Sequence, residues 1–398
     1  MAVEIDGHRC YRLVEEYASL GMHRTGTAVD EVTREWLVAQ LKGCGASIHS
    51  VDYEFGRFDA AATVVIDGDP VECLPLFYEA VGRADTTDPY TESLELAAEV
   101  VALDLDAALG RARASGRTAT VLATGSDGRL VAQNRAPDLA GGIPTVLVPG
   151  GVLDGASSVE VRTSARVVPG RSSTIVATAG GGAQGPLVIT TPLTGWFCCA
   201  GERGTGIALT VEIATMLAEE FPVTVVATTG HELEYLGARE YLAVSDLRPR
   251  AVLHIGASVA AGDPGDDGVP RLSPMRVAFS DLESPARDRL GGMLAPAGLG
   301  LLAIPRWGGE GELWRGQGVP VLSLVGSFRR FHTPEDLTEL VTTPEALASV
   351  GSSICEAARY LAEAPHPDGD PDPRRQRLHL DDSIPVRFPQ TPGTRRQG

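Results

Sequence analysis

Lysine is almost missing from this chain, and Lys42 is the only one. Acidic residues outnumber basic ones, 52 to 34, for a formal net charge of −18. That balance excludes nucleic acid and anionic membrane as main partners. No apolar run approaches the roughly 18 residues a membrane-spanning helix needs. The opening MAVEIDGHRC lacks the basic and apolar stretches of a secretory leader, so a cytoplasmic location is the expectation. None of the six cysteines forms a C-x-x-C pair. Cys10, Cys44, Cys73 and Cys355 read as buried thiols rather than a disulfide framework. Histidine is absent from residues 56–169, so no ligand cluster is expected there.

What is present suffices for more than one folded unit. The chain has 398 residues, and 43% are hydrophobic. Residues 27–44 begin with Thr27 and Asp30, a capping-box pattern, and place Val32, Trp36, Leu37 and Leu41 at helical spacing. SIHSVDYEF then reads as a strand. From 56 to 169 the chain holds short β-like runs broken by Gly, Asp and Pro, LAAEVVALDL and RTATVLATG among them. This segment is expected to be a mainly β inserted domain.

On either side, residues 1–55 and 170–364 read as one α/β domain. STIVATAGG, PLVITTPL, VTVVAT, AVLHIGA and GVPVLSLVG are strands. Helices are expected over about 207–220, 235–243 and 343–362. The alternation predicts a mostly parallel, doubly wound sheet with helices on both faces. The Pro-, Asp- and Arg-rich tail, 365–398, is expected to be extended or disordered.

Four strand ends carry polar groups that a plain scaffold does not need. They are Glu202 in AGERGTG, His231 and Glu232 in TGHE, His254 in LHIG, and His332 in FHTPED. Strand ends on one edge of such a sheet converge. Imidazoles and carboxylates gathered there are zinc ligands by type.

In order and context these motifs resemble the co-catalytic zinc aminopeptidase family, which also includes glutaminyl cyclases and the transferrin-receptor ectodomain. Glu202-Arg203-Gly204-Thr205-Gly206 is similar to the family's Asp-Asn-Gly-Ser-Gly loop. His231-Glu232 with Gly237-Ala238 is similar to its Glu-Glu with Gly-Ser, and Phe331 to Asp336 to its Tyr-His-Thr-Pro-x-Asp. His254 falls near the family's Asp-bearing strand. One family element is replaced: Pro192-Leu193-Thr194 stands where relatives carry His-x-Asp.

The resemblance implies a zinc-exopeptidase-like fold and one surviving metal site. Glu202, Glu232 and His332 would hold a single zinc, with His254 a fourth metal candidate. His231 would serve as the catalytic acid or base, since imidazole titrates near working pH. Arg203, Arg306, Trp307, Cys198 and Cys199 are the candidate substrate-contacting residues, and Trp314 joins them as a rim candidate. The expected activity is hydrolysis of a small peptide or another amide-bearing small molecule. Two alternatives stay open: a peptidase fold kept only for binding or scaffolding, and a metal-free enzyme using Cys198 or Cys199 with a histidine.

Overall fold

The computed structural model describes residues 4–94, 101–125, 127–134, 142–182, 185–315 and 318–363. The tail from Pro365 onward lies outside the described residues.

Two helices open the chain, α1 (Gly7–Ser19) and α2 (Ala28–Gly43). Thr27 caps α2, its side chain accepting from the Asp30 N–H, and Asp30 and Glu31 complement the helix dipole. The ten-stranded main sheet contains β1 (Ser47–Ile66), β2 (Val159–Ala179), β3 (Leu187–Pro192) and β4 (Val223–Thr228). It continues through β5 (Ala251–Ile255), β6 (Arg276–Ser280), β7 (Gly300–Leu302) and β8 (Val321–Gly326). The spatial order is β7-β6-β8-β5-β3-β4-β2-β1. The short strand Asp69–Val71 follows at one edge, and Gly82–Thr86 pairs with β2. The central four strands, β8-β5-β3-β4, run parallel, and antiparallel pairs flank them.

These central strands read as unbroken apolar runs because both faces are covered. Leu187, Ile189, Val225, Leu253 and Leu322 face α1, α3 (Thr205–Leu217) and α5 (Pro344–Glu363). Val188, Val226, Val252 and Val321 face the other way, onto Tyr241 of α4 (Leu236–Val244), Trp307 and Trp314. Among the described residues no helix is long and apolar enough to cross a membrane.

The 56 and 169 boundaries fall inside β1 and β2, which pair without interruption from Ser47↔Thr178 to Ile66↔Val159. Beyond them lies a four-stranded sheet in which Tyr90–Leu94, Thr120–Thr124 and Thr145–Pro149 run parallel and Leu74–Pro75 pairs antiparallel. A helix, Val101–Ala114, connects the first two. This corrects the β-like reading of LAAEVVALDL from Val101 onward. Leu105, Ala108, Leu109 and Ala112 recur at helical spacing and are fully packed.

Candidate functional site

Glu202 sits in a five-residue π-helical turn, Ala200–Gly204, that leads into α3. Cys199 before it adopts φ +48°, so the chain turns sharply into the helix. Asp336 holds this turn from outside, accepting from the Gly201 N–H at 2.5 Å and the Glu202 N–H at 3.0 Å. Asp336 is 1% exposed. Burial pushes its carboxyl up to about 7 against the pull of those two N–H groups.

The Glu202 side chain is fully buried beside Arg203 and His332. Its Oε1 lies 2.7 Å from Arg203 Nη2 and 3.3 Å from His332 Nε2. Both contacts are at ion-pair distance without directed hydrogen-bond geometry. Burial alone would raise this carboxyl, but Arg203 and then His332 outweigh it and hold it at about 2. Arg203, also fully buried, donates from Nε to the Thr194 carbonyl at 2.9 Å.

His332 stands at φ +62°, in the left-handed region, with its ring stacked on Phe331. Its Nδ1 faces the Ala132 carbonyl at 3.2 Å, and Ala132 N–H donates back to the His332 carbonyl at 2.9 Å. The Trp196 indole donates to Asn134 Oδ1 at 2.8 Å. Residues 132–134, from the second sheet's part of the chain, thus form one wall of the site.

Gly230, at φ +76°, turns the chain out of β4 and delivers the His231-Glu232 step into the short 3-10 turn His231–Leu233. Glu232 Oε1 accepts from the Thr25 N–H and Oε2 from the Thr194 hydroxyl, each at 2.8 Å. Glu232 therefore ties three chain segments together. His231 points elsewhere. Its Nδ1 is 3.3 Å from Oε2 of Glu310, whose Oε1 accepts from Thr228 at 2.6 Å. Burial pushes His231 well below the usual imidazole range, with Arg203 adding to the shift, and raises the Glu310 carboxyl. His254 is buried nearby with no hydrogen-bond partner on Nδ1, and burial lowers it to about 4. Gly311 packs against Ser323 and that ring: a Cβ there would run into the Ser323 side chain and meet His254 Cδ2 at 3.0 Å.

This geometry does not gather the expected ligands around one point. Among the described residues no three His, Cys, Asp or Glu side chains converge as a metal site. Glu202 faces a guanidinium, Glu232 is consumed by Thr25 and Thr194, and only Glu202 and His332 adjoin each other. The donor set does not fit a three-ligand zinc.

The remaining candidates divide. Arg203 is central but faces Glu202. Arg306 is exposed, in a run of exposed residues. Trp307 is core, stacked on Phe279 on the same face of the sheet, and Trp314 packs with Tyr241. Cys198 is half-buried, and Cys199 is buried with Sγ 2.5 Å from the Trp196 carbonyl. Burial raises both thiols, the wrong direction for an activated nucleophile. Glu310 was not singled out from the sequence. Its only signal there is an acidic pair inside the Gly-rich stretch WGGEGELW.

No family model matches the chain, and no curated protein matches its sequence. Solved structures do resemble it. The zinc aminopeptidase from Bacillus subtilis has a TM-score of 0.69 at 14% identity, over 91% of this chain and 97% of that one. The peptidase M28 precursor from Shewanella amazonensis SB2B gives 0.64 at 16%, over 90% and 95%. The aminopeptidase from Aneurinibacillus sp. strain AM-1 gives 0.61 at 17%, over 90% and 94%. The chain has the fold of the zinc aminopeptidases.

Proposed function

We propose that this chain uses the aminopeptidase fold for a site that works without zinc. The site binds a small peptide or another amide-bearing molecule at the carboxyl edge of the sheet. His231, oriented by Glu310, is its proton-transfer group. One observation carries the reading: His231 Nδ1 is turned onto Glu310, and its ring, 12% exposed, meets solvent where Glu202, Glu310 and Arg203 do not. A carboxylate on one ring nitrogen fixes orientation and tautomer and leaves Nε2 for a ligand. The lowered imidazole is neutral at pH 7, the form in which the nitrogen turned away from Glu310 keeps its lone pair.

A second reading, amide hydrolysis at a single zinc, draws on a different observation. Both Glu202 oxygens and His254 Nδ1 are buried without a hydrogen bond, as ligands of an ion can be. One experiment separates the two. Metal per chain is measured on protein purified without chelators, and aminoacyl anilides, dipeptides and primary amides are screened for turnover and saturable binding, with and without EDTA. The proposal expects turnover that survives EDTA, falls on the order of 100-fold or more in His231→Asn, and falls less in Glu310→Gln. Turnover abolished by EDTA and restored by zinc would establish the single-zinc reading instead. Neither turnover nor saturable binding would leave a scaffold.

A further inference from the structure

We infer that Arg203 is the resident cation of this site: its guanidinium occupies Glu202 and thereby keeps divalent metal out. The guanidinium is fixed at two points, with Nη2 2.7 Å from Glu202 Oε1 and Nε 2.9 Å from the Thr194 carbonyl. It is 1% exposed. The Gly195 backbone lies directly over the pair. A Cβ there would come within 3.4 Å of both Arg203 Nε and Glu202 Oε1, and within 2.9 Å of Cys199 Sγ.

Glu202 Oε1 and His332 Nε2 are 3.3 Å apart. Two ligands bound at 2.0–2.2 Å to a tetrahedral zinc lie about 3.3–3.5 Å apart. The carboxylate and imidazole are therefore at ligand spacing, yet the shared oxygen already faces the guanidinium. A divalent ion entering between them would meet a fixed positive charge in a water-poor site, where like charges repel strongly. Arg203 therefore blocks the one carboxylate–imidazole pair that already stands at metal spacing, while Glu232 is held away by Thr25 and Thr194. This deepens the zinc-free reading of the site and rests on it, but not on the role given to His231.

The test is zinc uptake by equilibrium dialysis and metal analysis, with thermal midpoints taken with and without zinc. Wild type should retain no zinc and show no shift. Arg203→Ala should retain zinc and rise in midpoint when zinc is added, since a ligand that binds only the folded state stabilises it. Adding Glu202→Gln to Arg203→Ala should abolish both effects. Stoichiometric zinc on wild type would overturn the inference, and so would a folded Arg203→Ala chain that takes up none. If Arg203→Ala folds only when zinc is supplied, the inference holds. If it folds in neither condition, the neutral pair Arg203→Met with Glu202→Gln decides: folded and zinc-free supports a charge role, whereas unfolded refutes it. Loss of turnover in His231→Asn bears on none of these readouts.

Discussion

Acid should unfold this protein in part through one histidine that touches no ligand. His23 is fully buried, with its ring stacked on Tyr17 at 3.8 Å. Its Nδ1 is 2.8 Å from Thr33 Oγ1, whose own proton goes to the Val29 carbonyl at 2.7 Å. Thr33 can therefore only accept from the ring, so Nδ1 carries the proton and Nε2 is a bare nitrogen with no partner. Protonating Nε2 would place a charge in a dry pocket, and burial accordingly lowers His23 from 6.5 to about 3. The unfolded chain takes up this proton below 6.5 and the native one refuses it until near 3. The stabilisation is thus complete above 6.5 and is lost as pH falls through that window. Between pH 7 and 5 the loss is about 2 kcal/mol for His23. His254, lowered to about 4, adds a similar amount. Urea unfolding of wild type and His23→Phe at pH 7 and pH 5 measures this. Phenylalanine keeps the stack on Tyr17 and leaves Thr33 bonded to Val29. The wild type should lose about 4 kcal/mol from these two groups and the variant about 2. Equal pH dependence in both proteins would refute the argument. The site should feel the same acid, because His23 N–H donates to the Phe197 carbonyl and its own carbonyl accepts from Gly195 N–H, the residue that covers Arg203.

Thr194 Oγ1 donates to Glu232 and accepts from the Gly230 N–H at 2.9 Å, so Thr194→Val should cost about 2–4 kcal/mol in chemical unfolding. A loss below about 0.5 kcal/mol would mean that Glu232 is not held as described. Cys198 and Cys199 should resist iodoacetamide in the native protein at neutral pH and react only after unfolding, as mass spectrometry would show. Rapid alkylation of either would revive a thiol nucleophile.

Much of the fold was legible because its signals are local. The Thr27 cap and the apolar spacing behind it gave α2, and the β-branched runs gave the central strands. The helix at Val101–Ala114 was misread because Ala, Val and Leu in succession hide a period of 3.6 inside an apolar run. The site was legible as a place and not as an arrangement. Glu202, His231, Glu232, His254 and His332 do come to one sheet edge, as strand order requires. Nothing in residue spacing could show that Arg203, adjacent to Glu202 in sequence, would turn back onto its carboxylate. Glu310 was hidden for a similar reason. It reaches His231 from 79 positions away, through a short turn that has no strand of its own.

The long β1–β2 ladder also has a consequence for the entropy of folding. Its nearest pair, Ile66 and Val159, encloses roughly 90 residues of chain, and closing so long a loop is entropically costly before any rung forms. The parallel β-helix-β unit from Tyr90 to Thr124 lies within that loop and makes nearer contacts. Were it to form first, the effective loop would be shorter and the closure less costly. In the finished sheet β2 is paired with β1 on one edge and with β4 on the other. The part of the chain that supplies a wall to the finished site thus also spans the loop that the ladder has to close.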